Sequence, residues 1–387
     1  DIPDPITAIR MALPSNLAVT HGHLRGTVNS NSHVCYIVTN TRFQHPFPDV
    51  FLFVEVLGAM IEEFGICPEN QTVSRVRLSG HGLTAHILTW GAALQDLRLE
   101  GYSDPLVVGF ETLRDYIDHS QYHGVTAGRV INRIGGAKAT INGTQHSLDA
   151  NQEGRHMLHG GVYGYGTRHW QILECSDHAV SLGLTDPDGT MGFPGTVTAA
   201  CRYSLIEGPA LQVELSASTD SPTLVNLGHH SYFCLDMAGD VRNQKLQLDA
   251  TRYLPADDDN LPTGEIEEVA STNFDFRNER AIAGTFDHNF CLAEARRHPA
   301  PVARLTSPVS GVSMTLITSE PGVQFYTGHG LSGEGNVNGG HPNSPYSALC
   351  LEPQSWPDAP RHRHFPSIAL SPNERYHQIS QFVFSRP

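Results

Sequence analysis

The chain has 387 residues, 39% hydrophobic and 17% charged, with a formal net charge of −15 when histidine is neutral. This is length for one large β domain or two ordinary ones, with enough apolar residue for a packed core, so a disordered chain is excluded. The acidic balance speaks against nucleic acid as a partner, and no apolar run approaches the roughly 20 residues that span a bilayer.

In chain order, Val34-Cys35-Tyr36-Ile37-Val38 reads as a strand. Residues 50–64 are apolar with Glu55, Glu62 and Glu63 interspersed and Gly65 at the end, which predicts a helix closed by a C-cap glycine. No chemical motif falls here, and an extra lobe, an oligomerisation arm or a folded extension fits equally. After about residue 72 strands dominate, with one short helix predicted at 112–119. Ile141-Asn142-Gly143-Thr144 carries an Asn-Gly hairpin turn, and Asp186-Pro187-Asp188-Gly189 and Phe193-Pro194-Gly195 are further turns. Leu211-Gln212-Val213-Glu214-Leu215 and Val312-Ser313-Met314-Thr315-Leu316 alternate with period two. The pattern predicts an all-β fold, a large antiparallel β-sandwich over 73–387, preceded by a small N-terminal α/β extension over 1–72. The seven scattered cysteines form no CxxC pair and sit among apolar residues. That suggests buried free thiols in a reducing compartment, hence the cytoplasm. The sequons at Asn70 and Asn142 carry little weight. The sequence opens Asp1-Ile2-Pro3, without methionine or a secretory apolar region. Monomer and homodimer both remain open.

The most informative stretch is Leu351-Glu352-Pro353-Gln354-Ser355-Trp356-Pro357-Asp358-Ala359-Pro360. Glu352 ends the apolar run Ala348-Leu349-Cys350-Leu351, so a carboxylate stands where a buried strand meets a loop stiffened by prolines. Burial raises a carboxylate's pKa and makes it a better base, although a hydrogen-bonded structural glutamate fits the same pattern. Asn132 and Arg133 lie between apolar residues before Gly135-Gly136. Arginine offers a fixed fork of donors suited to sugar hydroxyls or a carboxylate, or to a structural ion pair. His159 precedes two glycines, whose backbone freedom leaves room for a ligand. His229 and His230 precede the aromatic strand Ser231-Tyr232-Phe233, and Asp287-His288-Asn289-Phe290 opens another apolar strand. The histidine pairs at 21/23, 119/123 and 362/364 lack a clear third and fourth ligand, so no metal site is predicted. Ser231 has no G-x-S-x-G around it, and a glycosidase pairing of Glu352 with Asp287 leaves His159 and His230 without a role. No phosphate-cradling or dinucleotide-binding glycine loop is present.

From about residue 75 to its end the chain resembles the aldose 1-epimerase (galactose mutarotase) family. The resemblance is carried by Asn132-Arg133, Leu158-His159-Gly160-Gly161, His230-Ser231-Tyr232-Phe233, Asp287-His288-Asn289-Phe290, the run from Pro321 through Gln324 to Gly328, and the Glu352 segment through Phe365-Pro366-Ser367. It implies a β-sandwich with a shallow sugar cleft and no metal or organic cofactor. It assigns Glu352 as general base and His230 as general acid, and it assigns Asn132, Arg133, His159, Asp287 and Gln324 to holding the sugar. The implied reaction interconverts the α and β anomers of a free aldohexose such as galactose or glucose. A non-catalytic sugar-binding domain and a hexose 6-phosphate epimerase are the alternatives; the latter needs a basic cluster, for which only Arg361 and Arg363 stand near the site loop. The chain departs from the usual pattern at His229 and His329 (commonly asparagine), at Gly135-Gly136 (Ala-Asn) and at Trp356 (phenylalanine), which bears on the preferred sugar. Residues 1–70 lie outside the resemblance.

Overall fold

The computed structural model describes residues 60–386. The strand expected at 34–38 and most of the helix expected over 50–64 lie outside these residues. The described end of that helix is instead a strand. Met60–Ile66 pairs antiparallel with Thr72–Gly80, with a register shift between Glu63 and Gly65. A short apolar run broken by carboxylates suits either period, and tertiary contacts decide. Glu62 meets Arg75 across the ladder at 2.6 Å, and the Phe64 ring lies edge-on to Tyr116 with centroids 6.3 Å apart. The first described strand, Met60–Ile66, thus pairs into a sheet upstream of residue 73, where the sequence reading starts the sandwich.

Met60–Ile66 and Thr72–Gly80 continue through Leu83–Leu88 and Ala93–Leu99 as a four-stranded antiparallel sheet. A nine-stranded sheet is built around Ala179–Asp186, Val197–Ile206, Ala210–Thr219, Tyr376–Ser385 and Ser313–Thr318. Both alternating runs read from the sequence fall in it, and alternate residues of Val197–Ile206 are buried, the mark of a sheet with one face on the core. A six-stranded antiparallel sheet runs from Tyr232–Phe233 through Leu349–Gln354, Gly322–Tyr326 and Asp287–Cys291 to Arg252–Tyr253 and Glu267–Glu268. Phe233 on this sheet meets Phe382 on the nine-stranded one at 4.9 Å, so the two close as a sandwich.

The predicted local devices are present. Asn142 and Gly143 both have positive φ (48° and 78°) and join Lys138–Ile141 to Thr144–Ser147, as the two central residues of a tight hairpin turn must. The short helix is Leu113–His119, with Thr112 as N-cap accepting from the Asp115 N–H. Cys67, Cys201, Cys234, Cys291 and Cys350 are buried free thiols. No described helix is long and apolar enough to cross a membrane.

Candidate active site

The floor of the site is one face of the six-stranded sheet. Glu352 stands opposite Gln324, which stands opposite Asn289, and one pair along the ladder Cys350, Tyr326 and Asp287 are aligned in the same way. Side chains on a strand alternate between faces, so these six residues share one face. Phe290, Phe325 and Leu351 point to the other, where Phe325 packs with Phe286 and Phe276 at 5.3 and 5.7 Å. The strand carrying Glu352 runs on through Pro353 to Gln354, so the stiff loop starts later than the sequence suggests. Proline is tolerated there because the Tyr232–Phe233 neighbour pairs only with Leu349 and Cys350, leaving Pro353 unpaired on that side.

Two loops bring the remaining groups to this face. Asn132 takes a left-handed conformation (φ 63°), its Oδ1 accepts from the Arg133 N–H, and Arg133 pairs with Leu158. Asn132 and His159 then clasp each other. The His159 N–H donates to the Asn132 carbonyl at 3.0 Å, and the Asn132 N–H donates to His159 Nδ1 at 3.2 Å. With Nδ1 accepting, a neutral His159 carries its ring proton on Nε2. Gly160 makes the turn possible: its φ is 87°, and a Cβ there would lie 1.9 Å from the Gly128 carbonyl oxygen.

These elements enclose a cleft of about 600 Å³ lined by Asn132, Arg133, His159, His230, Asp287 and Glu352, with Trp90, Tyr122, Tyr232 and Tyr326 as aromatic walls. His230 Nε2 and Glu352 Oε1 are 3.6 Å apart, and both side chains are about 95% buried or more. Burial pushes the Glu352 carboxyl well above its usual range, Asp287 pushes it further, and Arg133 opposes them. Burial likewise lowers His230 to about 4. Both shifts disfavour the charged forms, so the two groups face each other across 3.6 Å with ionisation of either opposed by burial. His159 is pushed well down by burial and by the neighbouring His230 and Arg133, so it serves as a neutral hydrogen-bonding ring. Arg133 reaches Asp287 at 3.8 Å and donates to Gln152 Oε1 at 3.0 Å; Gln324 donates to Asp287 Oδ1 at 2.6 Å. Tyr122 covers both imidazoles, with centroids 4.2 Å from His159 and 5.8 Å from His230.

A model of the aldose 1-epimerase family matches residues 74–382. Galactose mutarotase from Bos taurus is 36% identical over 329 residues, covering 81% of this chain and 94% of that protein. The chain belongs to the aldose 1-epimerase family. Aldose 1-epimerase from Escherichia coli K12 is 32% identical over 338 residues, covering 82% of this chain and 97% of that one. Among solved structures, an aldose epimerase homologue from C. elegans superposes with a TM-score of 0.77 at 29% identity, covering 81% of this chain and 99% of that chain. Galactose 1-epimerase from Lactobacillus acidophilus does so with a TM-score of 0.75 at 26% identity, covering 85% and 99%.

Six of the seven residues that the family resemblance selects line the cleft. Gln324 stands behind, buttressing Asp287. Of the positions where this member departs from the family pattern, His329 alone lines the cleft. His229 is buried between the Tyr203 hydroxyl (3.2 Å) and Ser231 Oγ (2.7 Å), and Trp356 is a core residue donating to the Pro321 carbonyl. The sequence reading missed the aromatic walls and the buried anchor Arg129, which donates to Asp186 at 2.6 and 2.8 Å. It also missed a contact beside the His230–Glu352 pair, Cys350 Sγ at 3.6 Å from His230 Nδ1. The signal was there, because polar residues at every second position of an otherwise apolar run mark a strand face turned to a site.

Proposed function

We propose that this member of the family interconverts the α and β anomers of a free aldohexose, such as galactose or glucose, with Glu352 as general base and His230 as general acid. The observation that carries the reading is the buried His230–Glu352 contact of 3.6 Å on the floor of the cleft. Mutarotation removes the proton from the C1 hydroxyl and delivers one to the ring oxygen. Both oxygens are bonded to C1, so the two catalytic groups must lie close together. At this spacing each can make a hydrogen bond of roughly 2.8 Å to its own oxygen. Glu352 takes the C1 hydroxyl proton as His230 gives its own to the ring oxygen. The ring opens, the aldehyde turns about C1–C2, and the reversed transfers close it on the other face. Arg133, Asp287, Asn132 and the His159 Nε2–H hold the other hydroxyls while this happens. Gln324 fixes the orientation of Asp287.

The hexose 6-phosphate reading lacks support. Arg133 is the one arginine or lysine among the described residues lining the cleft, and Arg361 is paired with Asp358 at 3.1 Å.

Glu352→Gln tests the assignment, since it keeps size and polarity but accepts no proton. Turnover should fall roughly 10²- to 10⁴-fold, with sugar affinity by calorimetry near that of the parent. Its melting temperature should hold or rise, because a carboxylate that resists ionisation in its buried site has been removed. A stable variant with nearly full turnover in polarimetry would end this mechanism.

A further inference from the structure

We propose that His230, Cys350 and Glu352 form a binding site for a soft divalent metal ion of the zinc type, and that its occupation shuts the active site. A ring nitrogen, the thiol sulfur and a carboxylate oxygen of these three buried residues lie within 4.8 Å of one another. Zinc bonds of about 2.0–2.3 Å put two ligands of one ion within such a span. Sγ is 3.6 Å from His230 Nδ1, and Glu352 Oε1 is 3.6 Å from Nε2. The imidazole thus turns one nitrogen towards each of the other two residues, and the nitrogen that binds lies within 4.8 Å of both remaining donors.

The donors sit on stiff supports. Cys350 and Glu352 are two apart on one strand, so both point to the same face. The backbone of His230 is held by hydrogen bonds in both directions, to the Val125 carbonyl and from the Gly124 N–H. Glu352 Oε2 has no protein partner. Charge also suits the place: a divalent cation with one thiolate, one carboxylate and a neutral imidazole sums to zero, as burial requires. His230 and Glu352 line the cleft, which provides an entry path and leaves a position for water. Sulfur and imidazole select zinc or a similarly soft ion over magnesium or calcium.

On binding, the Cys350 thiol loses its proton to solvent, as does the Glu352 carboxyl wherever it is protonated, and metal–sulfur, metal–nitrogen and metal–oxygen bonds form; nothing is oxidised or reduced. The inhibitory half of the proposal rests on the acid–base reading above. With the imidazole lone pair and the carboxylate both engaged, neither can exchange a proton with a sugar.

The test uses the full chain freed of metal by chelator dialysis. Equilibrium dialysis should retain one zinc per chain, and cobalt should give thiolate-to-cobalt charge-transfer absorption. Zinc should suppress mutarotation, chelator should restore it, and magnesium should do neither. Cys350→Ala and Cys350→Ser, each normalised to its own metal-free rate, should need at least about tenfold more zinc for half-inhibition, while Cys201→Ala should match the parent. An active protein that retains no zinc, a cobalt form without the thiolate band, or half-inhibition unmoved in both Cys350 variants overturns the site and leaves the acid–base reading standing. One zinc held with the thiolate band but full turnover overturns the inhibition and removes the pair from the chemistry.

Discussion

At the residue scale, the two cleft histidines are distinguished by what their nitrogens face. His159 Nδ1 is occupied by the Asn132 N–H, so only Nε2 is available, as a donor to a sugar oxygen. His230 has Nε2 against the Glu352 carboxylate and is the ring proposed to pass a proton. His159→Gln should therefore raise KM with a smaller effect on kcat, whereas His230→Gln should lower kcat at saturating sugar. Equal kcat for the parent and His230→Gln in initial-rate polarimetry would remove His230 from the acid role. The contrast depends on a turn that admits only glycine at 160. Motif reading singled out Asn132, Arg133, His159, His230, Asp287 and Glu352, each in a distinctive local string, and the fold brings these six to one cleft. Tyr122 escaped it, since a tyrosine in a loop carries no chemical signal until the fold lays it over two imidazoles. Cys350 escaped for another reason. Its meaning lies in a register two residues from Glu352 and in a neighbour 120 residues away.

At the scale of elements, one misreading is instructive. Residues 60–64 satisfy a helical pattern as well as a strand's, and what fixes the strand is its partner Thr72–Gly80 together with Phe64 on Tyr116. Local sequence does not contain those contacts, whereas the Asn142–Gly143 hairpin and the Thr112 cap are wholly local and were read directly. A chain begun at residue 58 should keep both fold and turnover. One begun at residue 70 should melt earlier, because Cys67 and Phe64 leave a core cluster that includes Val73, Leu113 and Tyr116. Its folded fraction should still turn over sugar, as no described residue of the cleft lies upstream of Trp90. Equal melting temperatures for the two starts would show that the first strand is dispensable. A second tie links the loop carrying Asn132 and Arg133 to the nine-stranded sheet: Asp186, on Ala179–Asp186, is clamped by Arg129 at 2.6 Å and by Arg168 at 2.7 Å. Removing one partner of a buried ion group strands the other's charge. Asp186→Asn should therefore cost about 3–5 kcal/mol in urea unfolding and weaken sugar binding with it. A loss within error of zero would mean that Pro194, Gly195 and Thr223, which also accept from Arg129, hold it unaided.

For the whole molecule, the site belongs to a core in which histidines are buried neutral. Burial lowers His123 and His229 to about 3 and His230 to about 4. The unfolded chain takes protons on these rings from about pH 6.5 downward, and the folded chain refuses them. Their contribution to stability is thus unaffected above pH 6.5 and is lost progressively as pH falls towards 3. Raised carboxyls act in the opposite sense. Asp358, lifted to about 6 by burial, and Glu320 and Glu352, also raised by burial, take protons in the folded state before the unfolded one. The two sets offset each other, so the parent's pH profile alone does not isolate either. A single substitution does. His123 lies between Phe110 and Tyr232 with centroids 4.6 Å from each, a slot of phenylalanine shape. His123→Phe forfeits the contact of Nε2 with Asn343 and the hydrogen bond that Nδ1 accepts from the Gln121 N–H, a loss that is the same at every pH where the ring is neutral. Relative to the parent, the variant should therefore gain about 2 kcal/mol between pH 8 and pH 5, since each pH unit below 6.5 is worth about 1.4 kcal/mol per excluded proton. Urea unfolding of both proteins at the two pH values measures it. A difference between variant and parent that is identical at pH 8 and pH 5 would mean that His123 binds its proton in the folded protein as readily as in the unfolded chain.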